Sequence, residues 1–127
     1  MDILNILGRI IFGGYFIYSG FNHFMFMKMM VGYSQSKKIP LANVAVPVTG
    51  LMLLAGGLSF LLDFHVTIGS ILLLAFLLPT SFFMHNFWAV SDPMQKMGER
   101  VNFTKNFALI GALLLFIYAR QLTGVTL

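Results

Sequence analysis

VTIGSILLLAFLLPTSFFMHNFW, residues 66–88, is the stretch whose reading decides the fold. From Val66 to Leu78 its only interruptions are Thr67, Gly69 and Ser70. The run is too long for a strand and lacks the alternation of one. Wound as a helix rising about 1.5 Å per residue it reaches about 34 Å, enough to cross a bilayer core of about 30 Å. Pro79 frees a carbonyl near Ala75, and the hydroxyls of Thr80 and Ser81 stand where a loosened backbone needs partners. The run closes on Phe82–Trp88, which puts a histidine, an asparagine and the only tryptophan of the chain at the expected membrane–water boundary. If the helix continues to Trp88, then Ser81, His85 and Trp88 share a face.

Composition extends that reading to the whole chain. The 127 residues are 58% hydrophobic and 9% charged, where soluble domains carry roughly 25% charged residues. So little polar surface cannot enclose a water-facing globule, so lipid is the expected solvent. Four spans and short loops use up the length, which predicts a single domain over 1–127. The net charge of +4 comes from cations beside apolar spans and not from one continuous face. It therefore points to membrane flanks, not nucleic acid. No cysteine is present, which excludes disulfides, thiolate metal sites and a thiol relay carried by this chain.

Outward from residues 66–88, the predicted architecture is all-α: an integral membrane four-helix bundle with spans at about 4–30, 41–62, 66–88 and 102–119. The first has no basic start and no small-x-small cleavage site, so it reads as a retained span. Arg9, Gly13, Phe16, Gly20 and His23 lie along one of its faces, with a bend along the interface expected at Met25–Val31. Gly50 and Gly57, seven apart in the second span, favour close packing against a neighbour. The short turn Asp63-Phe64-His65 makes spans two and three antiparallel neighbours. Asp92 as cap, Pro93 at the first position and Gln95 predict a short amphipathic helix over Pro93–Arg100, between the third and fourth spans. Lys28, Lys37, Lys38, Lys96, Arg100 and Lys105 fall on one side, against Arg9 and Arg120 on the other. That bias predicts an inner-membrane protein with its long loops in the cytoplasm and its termini outside.

His23 and His85 each lie nineteen residues beyond the start of a span (near Leu4 and Val66), and those spans run parallel. Both histidines therefore reach the same depth. The fourth span enters at that depth with Asn102, Lys105 and Asn106; Asn22, Asn86 and Trp88 are there too. Polar groups near hydrocarbon are expensive unless they pair or bind something. One reading is a structural network that bridges helices. The other is a pocket for the polar head of a lipophilic ligand, with quinone the leading candidate. Its carbonyls want donors, its ring stacks on aromatics and its tail lies in lipid. A haem held by His23 and His85 ranks lower, and two histidines without a carboxylate are thin for zinc. Arg9 reads either as an interfacial anchor or as a cation pairing with another helix or an anion. Asp92 and Glu99 read as ordinary charges of a loop helix.

Several of these residues together resemble the DoxX family of small four-span membrane proteins. They are Gly8-Arg9 with Gly13-Gly14, Ser19-Gly20-Phe21-Asn22-His23, Pro47 and Gly50 with Gly56-Gly57, Met84-His85-Asn86-Phe87-Trp88, and Asn102-Phe103-Thr104-Lys105-Asn106 with Gly111. The resemblance spans about residues 4–118. It implies a four-helix membrane bundle and an association with oxidation chemistry. The family takes its name from a subunit linked to thiosulfate:quinone oxidoreductase, and other members are associated with thiol and oxidative-stress systems. Arg9, His85, Trp88, Lys105 and Asn106 fall at family-pattern positions, whereas His23 stands where many members carry another polar residue, often lysine. The expectation is a quinone-interacting or accessory subunit of a membrane oxidoreductase system, with its head-group pocket built from His85, Asn86, Trp88, Lys105, Asn106 and His23, and Arg9 in support. No residue is assigned a catalytic role. The alternatives are a non-enzymatic scaffold that stabilises a larger complex through its glycine faces, a haem-binding subunit, or a small transporter. A protein partner or homo-oligomer in the membrane is expected in each case.

Overall fold

The computed structural model describes residues 2–124. Five α-helices run in order: α1 (Ile3–Met25), α2 (Met27–Ser36), α3 (Ala42–Leu62), α4 (Val66–Phe83) and α5 (Pro93–Leu122), with a single 3-10 turn at Phe87–Ala89. Four segments are long and apolar enough to cross a membrane: Ile3–Met25, Ala42–Leu62, Val66–Ala89 and Pro93–Leu122. Large apolar side chains such as Ile11, Leu51, Ile71 and Leu115 remain exposed along them, as lipid-facing helices require. This is a multi-pass membrane protein.

The helices associate in the order α1–α3–α4–α5, and glycines set the spacing. A Cβ on Gly13 would stand 2.7 Å from the carbonyl oxygen of Gly57, and one on Gly57 2.7 Å from that of Gly13. One heptad further along α1, a Cβ on Gly20 would meet the Gly50 carbonyl at 2.9 Å. The pairs 13/57 and 20/50 both sum to 70, as one antiparallel register demands. The glycine faces expected to serve a partner therefore hold α1 against α3 within the chain. On α3 and α4, Gly56 and Gly69 receive Leu73 and Ser59 in the same way. The buried centre is Phe16, Leu53, Phe60, Val66, Leu73, Leu77, Ile110 and Leu113.

Among the described residues, no Cα of α1 comes within 8 Å of one on α5. Long side chains span that seam instead: Phe12 meets Phe116 with centroids 5.3 Å apart, and the Lys105 ammonium lies 5.7 Å from the Tyr15 ring centre. At the end of the bundle near the chain termini, the seam is tied by charge. Arg120 Nη1 donates to Asp63 Oδ1 at 3.1 Å, and Arg9 Nη1 lies 3.9 Å from Asp63 Oδ2. Arg9 Nη2 also donates to the Leu61 carbonyl at 2.9 Å, supplying one of the partners that the last turn of a helix lacks. Asp63, which caps α3 at a φ of 53°, is thus held by two helices.

Three boundaries differ from the sequence expectation. The first span, expected to reach residue 30 with a bend at Met25–Val31, breaks within that stretch at Phe26 (φ −113°, ψ 34°), and α2 begins at Met27. The third helix ends at Phe83 and not at Trp88, because Thr80's carbonyl takes both the Met84 and His85 N–H groups. Ser81, His85 and Trp88 therefore do not share a helical face; Ser81 bonds back to the Leu77 carbonyl at 2.6 Å. The amphipathic segment begins as expected, with Asp92 Oδ2 accepting from the Gln95 N–H at 2.9 Å. It then continues without a break into the fourth span, since nothing between Arg100 and Lys105 stops a helix. At about 1.5 Å per residue α5 is about 45 Å long, so its first turns extend beyond the hydrocarbon.

Candidate functional site

A cavity of about 590 Å³ lies at the long-loop end of the bundle, bounded by α1, α2, α3, the end of α4 and α5. Each wall is built by an identifiable local cause. His23 sits in the last turn of α1, just before the break at Phe26. Its Nδ1 is 3.0 Å from the Val46 carbonyl and 3.2 Å from the Thr49 hydroxyl. A carbonyl can only accept, so Nδ1 carries the proton. The Thr49 hydroxyl donates within its own helix, 2.7 Å from the Ala45 carbonyl and 3.0 Å from that of Val46. Both carbonyls lie beside Pro47, whose missing N–H leaves the Asn43 carbonyl without its helical donor.

On the other side, α4 stops early and leaves His85 and Asn86 on non-helical backbone, where each finds a partner. His85 Nδ1 is 2.7 Å from Glu99 Oε2, and Lys37 donates to Asn86 Oδ1 at 2.8 Å. The second carboxylate oxygen of Glu99 accepts a close hydrogen bond from the Tyr33 hydroxyl, which also lies 3.2 Å from the Met84 carbonyl. Glu99 is only 7% exposed. Its carboxylate therefore joins α2, the segment after α4, and α5. Burial, reinforced by the hydrogen bond and negative charge of Glu99, pushes the Tyr33 hydroxyl well above its ordinary range. Tyr33 keeps its proton at any physiological pH.

Tyr33, His23, His85, Lys105 and Asn106 line this cavity beside Phe16, Phe76, Leu77 and Phe83. The shared depth expected for the two histidines is thus reflected in a shared cavity. Four of the seven expected site residues meet there: His23, His85, Lys105 and Asn106. Asn86 stands behind the wall as the acceptor of Lys37. Trp88 is outside, 52% exposed, packed edge-on against Phe87 and Phe103 at 5.3 and 5.5 Å. It packs on the neighbouring ring of its own 3-10 turn and on Phe103 of α5, apart from the cavity lining. Arg9 lies at the opposite end with Asp63, so it does not support the cavity.

Sequence reasoning missed Tyr33, Glu99 and Lys37. A signal for Glu99 existed. The buried positions of α5 are Glu99, Asn106, Ile110 and Leu113, spaced by seven, four and three, which is one helical face. Only a helix read straight through from Pro93 displays it.

The donor set can hold an oxygen-bearing head group, and the aromatic and aliphatic walls can hold its ring. Both histidines offer Nε2, the usual ring atom for a hydrogen bond or a metal once Nδ1 is engaged. No protein of curated function and no solved structure matches the chain. The DoxX family's sequence profile matches residues 4–86, which includes His23 and His85 and leaves Trp88, Glu99, Lys105 and Asn106 beyond the matched segment. That match covers more than half of the chain, and with four membrane-crossing helices in the expected order, the chain belongs to the DoxX family.

Proposed function

We propose that this chain is a quinone-interacting membrane subunit whose cavity receives the head group of a lipophilic quinone. The observation that carries the proposal is the cavity itself. It brings two histidines, three lysines, an asparagine and the Tyr33 hydroxyl together against aromatic walls at one end of a lipid-embedded bundle. Its volume of about 590 Å³ falls within the roughly 300–1,000 Å³ of small-ligand sites. Tyr15 and Lys105 bring the cavity lining to the loosely bridged seam between α1 and α5, a route by which a tail enters the bilayer.

When bound, a quinone supplies reversible two-electron, two-proton chemistry. The chain's own residues would seat it. Lys105 and Asn106 donate to its oxygens, the histidines lie beside them, and Phe76 and Phe83 flank the ring. The electron partner would be a second molecule, and no thiol of this chain takes part, since it carries no cysteine. The bias of cations toward the cavity end supports a cytoplasmic side of an inner membrane for it.

The test is to purify the protein gently from its native membrane, extract the lipophilic fraction for mass spectrometry and record a visible spectrum of the same sample. Quinone near one per chain, lost in His85→Ala while the fold is retained, supports the reading. Only bulk phospholipid in the extract refutes it. A haem band would instead assign the two Nε2 atoms to iron.

A further inference from the structure

The hydrogen bonds around the cavity fix more than its shape: they fix which polar atoms are acceptors. Glu99 and the Val46 carbonyl both accept from the wall groups they hold. His85 is held at Nδ1 by the Glu99 carboxylate, and His23 at Nδ1 by the Val46 carbonyl. In a neutral imidazole with its proton on Nδ1, Nε2 is a bare lone pair. The Tyr33 proton is likewise directed to Glu99, so the phenol oxygen offers a lone pair. Lys37, Lys38 and Lys105 line the same cavity.

We infer that this cavity selects the reduced, hydroxyl-bearing form of its ligand: a lipophilic hydroquinone in preference to the matching quinone. A quinone carbonyl brings lone pairs only, which suit the ammonium groups of Lys37, Lys38 and Lys105 and the Asn106 amide but gain no donor from His23 Nε2, His85 Nε2 or the Tyr33 oxygen. A hydroquinone hydroxyl accepts from an ammonium and donates to an imidazole at once. Glu99 touches no ligand in this scheme. It is a positioning residue, setting the tautomer of His85 and the direction of the Tyr33 proton. The inference rests on the quinone reading above and specifies its redox state.

The experiment uses the full chain in lipid nanodiscs, kept anaerobic, with a short-tailed methoxy-substituted hydroquinone and its matching quinone as probes. Equilibrium binding is measured for each, and nitrogen NMR of histidine-labelled protein reads which ring nitrogens carry protons. We expect the hydroquinone to bind at least about tenfold more tightly, the scale of one well-made hydrogen bond against one left unmade. The NMR should show Nδ1-protonated, Nε2-bare rings at His23 and His85. In Glu99→Gln, whose amide both donates and accepts, the His85 signal should become a tautomer mixture and the preference should shrink several-fold. The wild-type measurements decide the matter even if that variant fails to fold. Equal binding of the two probes, tighter binding of the quinone, or a proton on Nε2 of both rings overturns the inference and leaves a quinone site standing. Binding of neither probe overturns the quinone reading and the inference with it.

Discussion

Gly57→Ala is the most direct probe of how the bundle is held. The added Cβ would lie 2.7 Å from the Gly13 carbonyl oxygen, 2.8 Å from the Ile17 nitrogen and 2.9 Å from Ile17 Cγ1. Two of those three atoms are backbone, so no rotamer change relieves the contact. Carbon–oxygen contacts between packed helices settle at about 3.3–3.6 Å, so α1 must retreat by about 0.6 Å or more. Forced overpacking of this kind costs about 1–3 kcal/mol, partly offset by about 1 kcal/mol from the better helix propensity of alanine. Gly8→Ala is the matched control: the same chemical change, in α1, with nothing within 4 Å of the new Cβ. It carries the propensity gain alone. The two variants should therefore differ by about 1–3 kcal/mol in unfolding free energy, measured by denaturant titration in a fixed detergent. Gly13→Ala approaches the same contact from the other helix, so the double variant Gly13→Ala/Gly57→Ala should cost less than the two single costs added together. If Gly57→Ala unfolds within about 0.5 kcal/mol of Gly8→Ala, the usual spread for a change that touches nothing, the account of α1–α3 packing is wrong.

Other consequences can be checked separately. Raising Tyr33 above its ordinary value of 10.0 means that above that pH the unfolded chain loses a proton which the folded chain keeps, so stability falls as pH rises there. An alkaline absorbance titration should contain a phenolate step well above pH 10 that disappears in Tyr33→Phe, and an unchanged curve would count against the Glu99 contact. Asp63→Ala removes the shared partner of Arg9 and Arg120 at partly exposed positions. It should lower stability by about 1 kcal/mol, an effect that fades at high salt, while ligand retention stays as in the wild type. Trp88→Phe should also leave ligand retention unchanged, because Trp88 packs on Phe87 and Phe103 outside the cavity; loss of the ligand in that variant would return Trp88 to the wall.

The spans were legible because a helix in lipid must be apolar along its whole length, and four stretches among the described residues satisfy that. Their ends were less legible for a physical reason. After Pro79 no residue up to Trp88 forbids a helix, so residues 84–88 read as its continuation. What ends α4 is tertiary: His85 is engaged by Glu99 and Asn86 by Lys37, from elements far away in sequence. The same misplaced boundaries hid Glu99. Read as a member of a separate loop helix, it lost its alignment with Asn106, Ile110 and Leu113. For Arg9 the sequence left an interfacial anchor and a cation paired with another helix or an anion both open, and the structure pairs it with an acid. Its partner Asp63 lies in the turn which topology had already placed on the same side of the membrane.

The two ends of the seam between α1 and α5 are finished differently, and the difference bears on what the cavity is for. At one end Phe12 and Phe116 meet, and Arg9, Asp63 and Arg120 close the gap with charge. At the other, α2 turns away and the seam carries Tyr15 and Lys105 over a space of about 590 Å³. That space opens to its surroundings, so its walls decide what suits it. Water suits the strip formed by His23, Tyr33, His85 and Asn106, but not the surfaces of Phe16, Phe76, Leu77 and Phe83 that make up much of the rest. A lipid tail suits those surfaces and leaves the polar strip unmatched. A molecule with a polar ring and an apolar tail satisfies both, and that complementarity, more than the presence of any one histidine, favours a ligand site over a network that serves only to hold helices together.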